Sequence, residues 1–405
     1  MDTFSVLNYQ GSKKNLLEFI HHNIDEYIKD DDVILDIFAG TSSVAYSYKS
    51  RNRVFANDAE PYAATIAKAL LGNPYNIIKL DLLEQRIKNY KMPIAEYTEW
   101  IRLESQYISE ENLAELIALY KSIPTVWSDG KKFFKTKDEY SLFVKYYSTS
   151  YFGIKQAQEI DAIKHAIDAS DTESRDILHT ALFYAMKECV FSKDGHMAQP
   201  LDPEKNASRL FKQRKKSIYS YFISKCKEFA GKDFIKPSYN NKVFNSNFEE
   251  LLASDTLNEV SVIYADPPYT DMQYSRYYHL LNTVLEYNYP NITQNKGEHT
   301  KGLYLENRFQ SQLSKKNTCL DSMKKLVEYS KSNNILLAIS FAYPQDIINQ
   351  KTDRYVMNIE DLINLCKKIY SEQKVRVEKN EYTHSNNRNS ETKKVLEYLI
   401  ICERA

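Results

Sequence analysis

The sequence predicts an α/β protein on a mainly parallel sheet, with a mostly helical insertion and an antiparallel hairpin at its C-terminal end. Three observations lead there. Short apolar runs, Val33-Ile34-Leu35, Val54-Phe55-Ala56, Val243-Phe244, Val262 to Ala265 and Ile335 to Ile339, alternate with segments whose apolar residues recur at helical spacing. Between about Pro61 and Asn240 the helical pattern is nearly unbroken, as in Leu113-Leu116-Ile117-Tyr120 and Ile160-Ile163-Ile167. The chain closes on two extended runs, Val375 to Tyr382 and Val395 to Ile401, joined by a polar loop containing Asn386, Asn387, Arg388 and Asn389. At 405 residues it is long enough for one large domain with a substantial insertion, or for two domains.

The elements carry chemistry in order. Tyr9-Gln10-Gly11-Ser12-Lys13 precedes a helix from about Lys14 to Tyr27; Gly11 allows a tight turn and Lys13 can reach a carboxylate, although alone the segment also reads as an ordinary helix start. The first strand runs into Asp36-Ile37-Phe38-Ala39-Gly40-Thr41-Ser42-Ser43, where Gly40 and the small residues after it admit close backbone approach by a ligand. The second strand ends at Asn57-Asp58, about 20 residues on, where such folds place an acid for ribose hydroxyls; Asp58 could equally cap the helix that begins near Pro61.

The most informative segment is Asp266-Pro267-Pro268-Tyr269, directly after the apolar run ending at Ala265. Two consecutive prolines fix two φ angles, so the Pro267 carbonyl can stand beside the Asp266 carboxylate. Two acceptors and a stacking ring then face one planar amine, the equipment for methylating an exocyclic amino group. The plainer alternative is a Pro-Pro turn that ends a strand.

Composition narrows the setting. Hydrophobic residues make up 43%, and no stretch approaches the roughly 20 apolar residues of a membrane helix, so a soluble globular protein is expected. Five widely spaced cysteines and an N-terminus without signal-peptide character imply a reducing cytoplasm and no structural metal. Lys plus Arg and Asp plus Glu both number 54, so any nucleic-acid contact must use a local patch. The clearest candidate is Lys205, Arg209, Lys212, Arg214, Lys215 and Lys216, which a solvated helix face would also resemble.

Taken together these motifs resemble the alpha group of DNA adenine methyltransferases, which includes Dam-like enzymes and many restriction-modification methylases. The diagnostic part is the order: aromatic-x-Gly-x-Lys, then the glycine loop, then a long insertion, then DPPY. Tyr151-Phe152-Gly153 with Gln156-Ala157 and Ile160-Asp161, Gln273-Tyr274 and Tyr278-His279 are similar to segments of one branch of that group.

The resemblance implies a Rossmann-like class I methyltransferase with a seven-stranded sheet. Its catalytic domain would comprise residues 1–60 and 241–405, with a target-recognition insertion over 61–240. It also implies S-adenosylmethionine as cofactor, held by Asp36, Phe38, Gly40, Thr41 and Asp58, with Tyr9, Gly11 and Lys13 at its methionine end. Asn247 stands where the group usually has an acid, and retains a carbonyl acceptor. Ser42 replaces a common glycine, a tolerated change if its φ is negative.

Asp266, Pro267, Pro268 and Tyr269 would hold an adenine extruded from double-stranded DNA, with Tyr274 and the basic run on the DNA itself. Cytosine-ring chemistry is disfavoured, because no cysteine stands beside a proline in the required context. A cytosine amine, an RNA adenine or a protein glutamine are alternative acceptors, and a non-catalytic DNA-binding regulator is an alternative of another class. A monomer is expected, with any restriction endonuclease on a separate chain.

Overall fold

The computed structural model describes residue 6 and residues 13–72, 78–91, 93–125, 140–193, 196–231, 240–344, 353–383 and 394–404. Tyr9, Gly11 and the polar loop at 386–389 lie outside the described residues. The chain divides into two compact units. The first comprises Met1–Asn73, Ile235–Gln273 and Phe309–Ala405; the second comprises Pro74–Phe234 and Tyr274–Arg308.

The first unit is organised by a seven-stranded sheet. Its strands are β1 Val33–Asp36, β2 Arg53–Asn57, β3 Lys242–Phe244, β4 Val260–Ala265, β5 Leu336–Pro344, β6 Val375–Thr383 and β7 Lys394–Cys402. They lie in the order β3-β2-β1-β4-β5-β7-β6. Pairings among β1 to β5 are parallel, whereas β7 runs antiparallel to both of its neighbours. The C-terminal hairpin expected from the sequence is therefore present and forms one edge of the sheet, with the last strand, β7, between β5 and β6.

Side-chain alternation divides the core between the two faces of this sheet. Leu35, Phe55, Ile263, Leu337 and Ile339 pack with residues of the helices Phe248–Leu252, Cys319–Ser332 and Ile359–Tyr370. Ile34, Val54, Val262, Leu336, Leu399 and Ile401 face the other way, toward Leu17–Ile24, Ser43–Tyr48 and Pro61–Leu71. Burial on both faces explains why the strands read as continuous apolar runs.

The second unit is mostly helical, and Ile160, Ile163 and Ile167 on Ile154–Asp168 are buried as their spacing predicts. It has two differences from the expected insertion. The first unit extends to Asn73, so the helix Pro61–Leu71 covers the sheet; and Tyr274–Arg308, beyond the DPPY segment, belongs to the helical unit. Tyr151 supplies the tie, donating to the carbonyls of Ala198 and Gly302 at 3.0 and 2.9 Å.

The segment around Tyr151 is scaffold. Gln156 accepts from the Gly153 amide at 2.9 Å, and Glu104 accepts from the amides of Ile154 and Lys155 at 2.9 and 3.0 Å, closing the start of Ile154–Asp168. Asp161 accepts from the amides of Phe143 and Val144 and from the Tyr287 hydroxyl. His279 is buried with Nε2 3.1 Å from the Met197 carbonyl.

Candidate active site

Three acids stand at the carboxyl ends of neighbouring parallel strands: Asp36 ends β1, Asp58 follows β2 and Asp266 follows β4. Burial, together with the charges of Asp266 and Asp58, pushes the Asp36 carboxyl up to about 8, although the Ala45 amide donates to Oδ2 at 3.2 Å. Asp36 Oδ1 and Ser42 Oγ are buried and without a hydrogen-bond partner among the described residues. An acceptor-rich turn at the ends of β1 and β2 suits a ligand that carries positive charge and hydroxyl or amine donors.

The turn itself is strained. Gly40 has φ +52° and Ser42 has φ +57°, so the condition under which serine would be a small change is not met. Two left-handed residues flanking Thr41 bend the chain sharply before the helix Ser43–Tyr48, and only one of them is glycine. Asp58 secures the bend: its Oδ2 accepts from the Gly40 amide and its Oδ1 from the Glu60 amide, both at 2.9 Å. Asp58 does not cap the helix Pro61–Leu71, whose N-cap is Glu60 without a side-chain cap bond; its carboxylate instead ties the chain just before that helix to the glycine turn. Thr41 is buried, with Oγ1 3.3 Å from Ser43 Oγ.

Phe38 packs edge-on against Phe248 with ring centroids 5.2 Å apart. Asn247 caps the helix Phe248–Leu252, its carbonyl oxygen accepting from the Glu249 amide at 3.4 Å.

At Asp266 the structure supplies a carboxylate that Lys13 reaches, and it adds Glu397, which sequence reasoning missed. Lys13 Nζ lies 3.0 Å from Asp266 Oδ1 and donates to Glu397 Oε1 at 2.8 Å. Lys13 is only 5% exposed and Glu397 is fully buried, so one cation sits between two carboxylates out of water. Ser340 on β5 also donates to Glu397. Burial alone would lower the Lys13 ammonium, but Asp266 and Glu397 together hold it well above the usual lysine range. Burial pushes Asp266 up to about 7; Lys13 opposes the rise and Glu397 adds to it.

The position of Glu397 follows from the topology. Because β7 is antiparallel, its beginning lies at the carboxyl ends of the parallel strands, and Ala342 of β5 pairs with Glu397. Glu397 shares the face of Leu399 and Ile401, which pack in the core. A carboxylate at a core-facing strand position was the available signal, since such a group is buried only with a partner.

Tyr269 is half-buried, stacked on Tyr355 at 6.1 Å with an interplanar angle of 27°, and edge-on to Phe341 at 6.2 Å. The Val356 amide donates to the Tyr269 carbonyl at 3.2 Å, and Asp271 donates to the Arg354 carbonyl at 3.0 Å. The segment at 354–356 therefore braces the DPPY turn from behind, a contact that local sequence does not announce.

The basic run divides when placed in the structure. Arg214 is buried: its guanidinium donates to the Tyr120 hydroxyl at 3.0 Å and to the Ser150 carbonyl at 3.1 Å, so it is a framework residue and not an exposed DNA contact. Lys216 donates to the Glu188 carbonyl at 2.7 Å. Lys205, Lys212 and Lys215 are exposed, Lys205 with Asp202 at 3.6 Å, and Arg209 is half-buried on Ala207–Arg214. Tyr274 opens the short helix Tyr274–Tyr277 in the second unit.

A mainly parallel sheet with an inserted antiparallel last strand, and acids with an aspartate-proline turn at its carboxyl end, defines the Rossmann-like methyltransferase class. Within that class the chain belongs to the D12 class of N6 adenine-specific DNA methyltransferases, whose family model matches residues 9–337. It is 24% identical over 412 residues to the modification methylase LlaI of Lactococcus lactis subsp. lactis, covering 97% of this chain and 54% of that protein. It is 26% identical over 311 residues to the type II methyltransferase M.FokI of Planomicrobium okeanokoites, covering 75% of this chain and 41% of that one. With M.NlaIII of Neisseria lactamica it shares 24% identity over 298 residues, 69% of this chain and 70% of that one. The chain spans about half the length of the first two. Among the described residues no helix is long and apolar enough to cross a membrane.

Proposed function

We propose that the chain transfers a methyl group from S-adenosylmethionine to the 6-amino group of adenine at specific sites in DNA, as the modification activity of a restriction system. The observation that carries this reading is the DPPY turn at the end of β4, with the Asp266 carboxylate only 19% exposed and held by Lys13. Membership of the D12 class supports it.

The residues present fit the cofactor, which would supply an electrophilic methyl on a cationic sulfonium. Asp36 and Ser42 offer buried acceptor atoms without partners among the described residues, and the Gly40 turn permits close approach. Asp58 uses one lone pair of each oxygen on backbone amides and retains acceptor capacity for ribose hydroxyls. Phe38, Thr41 and Asn247 line up behind the same strand ends in sequence, with Tyr9 and Gly11 before Lys13 at the methionine end.

Asp266 and the Pro267 carbonyl would accept the two protons of the target amine, turning its lone pair out of conjugation and toward the methyl carbon. Pro268 fixes that carbonyl, and Tyr269 stacks on the base, which must leave the duplex to reach it. As the new nitrogen–carbon bond forms and the sulfur–carbon bond breaks, the amine becomes acidic and its proton passes to the Asp266 carboxylate. A carboxyl lifted to about 7 is suited to that transfer near neutrality. Lys13, held by Glu397, acts as a positioning residue for Asp266.

The test is transfer of labelled methyl from S-adenosylmethionine to unmethylated DNA, followed by nucleoside analysis and sequencing of modified positions. N6-methyladenine in one short context is expected, and Asp266→Ala should abolish it while cofactor binding persists. Label on cytosine, on RNA or on protein, or no label at all, would overturn the reading.

A further inference from the structure

We propose that Arg276 and Arg308, packed on the ring of Tyr304 in the helical unit, form a clamp for a phosphodiester of the bound DNA; this rests on the DNA reading above. Each guanidinium lies 4.8 Å from the centroid of the Tyr304 ring, and Arg276 Nη2 donates to the Tyr304 hydroxyl at 3.1 Å. Two like charges therefore share one aromatic ring.

The platform is built. Tyr304 is buried, and its ring meets His279 edge-on at 5.6 Å. The loop that carries it is bonded along its length: Thr293 donates to the Tyr304 carbonyl at 2.7 Å, Tyr304 donates to Thr300 Oγ1 at 3.2 Å, and Glu306 donates to the Asn291 carbonyl at 3.0 Å. Arg308 Nη1 donates to the Leu305 carbonyl at 3.0 Å and faces Thr293 Oγ1 at 3.4 Å.

The charges are uncompensated. Among the described residues neither arginine has an ion pair with a carboxylate. Among the described residues their buried Nε atoms have no hydrogen-bond partner, and Arg276 Nη1 and Arg308 Nη2 form no bond. Both side chains remain half-exposed. Burial, and then the neighbouring Arg276, pull Arg308 below the usual arginine range, the direction expected of cations waiting for an anion. Two forked donors in fixed orientation match the geometry of a phosphate better than that of a single carboxylate oxygen. By contrast, the basic run at 205–216 has Arg214 turned inward and Lys216 bonded to a carbonyl, so fewer of its charges are available to a backbone than its sequence suggests.

The experiment compares wild type with the Arg276→Gln/Arg308→Gln double variant in equilibrium DNA binding across a salt series, with cofactor titration, thermal melting and methyl transfer in parallel. The slope of log affinity against log salt should flatten by about 0.9 if both arginines grip one phosphate, and cofactor affinity should stay unchanged. Either single Gln variant should flatten it in part, which keeps the test open if the double variant does not fold. Weaker binding or lower melting with an unchanged slope would mean that the arginines only brace Tyr304, and would overturn the clamp. Methylation of DNA by the wild type alongside an unchanged slope would overturn the clamp and leave the enzymatic reading standing; a wild type that neither binds nor methylates DNA would overturn both.

Discussion

At the residue scale the Lys13–Asp266–Glu397 cluster decides how the site responds to pH. An Asp266 carboxyl raised to about 7 is ionised only above that value, and the proposed reaction needs the carboxylate to accept from the amine. Methyl transfer measured as kcat/KM should therefore rise between about pH 6 and 8 and level off above, the sign following from a base that must lose its proton. Lys13 opposes the rise, so Lys13→Met should move the limb to higher pH. A limb that stayed put would mean that another group controls it. Asp266 was legible from four consecutive letters, because the strand, the prolines and the ring are contiguous. Glu397 was not: 384 residues separate it from Lys13, and only the insertion of β7 beside β5 brings them together.

At the element scale the turn after β1 carries the strain. Ser42 is buried with φ +57°, where a side chain costs about 1 kcal/mol that glycine avoids. Ser42→Gly should relieve that strain and give back a similar amount through the greater freedom of the unfolded chain, leaving the denaturation midpoint nearly unchanged. Ser42→Val, β-branched and without room to turn, should lose about 2 kcal/mol or more. Equal midpoints for the two variants would refute this account of the turn. Periodicity identified β1 to β5 and the strand-to-helix order, because both faces of the sheet are covered. It could not supply the sign of φ at Ser42, since a backbone dihedral is set by what the turn must join.

At the scale of the whole molecule, sequence placed a helical insertion between β2 and β3 but not the return of Tyr274–Arg308 to that unit, which depends on long-range bonds such as Tyr151 to Gly302. Charge counting had the same limit. Arg214 looks like its basic neighbours in sequence, yet in the fold it bonds Tyr120 and Ser150. Arg214→Gln should therefore lower the unfolding free energy by about 3 kcal/mol by stranding buried acceptors. Neutralising the exposed Lys205, Lys212 and Lys215 should leave melting unchanged and flatten the salt dependence of DNA binding. Should the triple variant melt early, or its salt slope match wild type, those lysines would have no part in the nucleic-acid surface.

The ion pair at Asp266 also bears on how the proposed methyl transfer would spare the protein that performs it. The lysine that touches the proposed amine-holding carboxylate is itself a primary amine, and a free lysine nitrogen is a far better nucleophile than the amino group of adenine. Carboxylates on two sides hold the nitrogen toward the ammonium form, whose lone pair is occupied by a proton and is not nucleophilic. Glu397 then acts as a protecting group built into the last strand. Glu397→Gln removes one of the two charges that hold the proton, so the variant incubated with S-adenosylmethionine alone should slowly acquire methyl groups on Lys13, detectable by peptide mass spectrometry. A variant that remained unmodified would place the protection elsewhere.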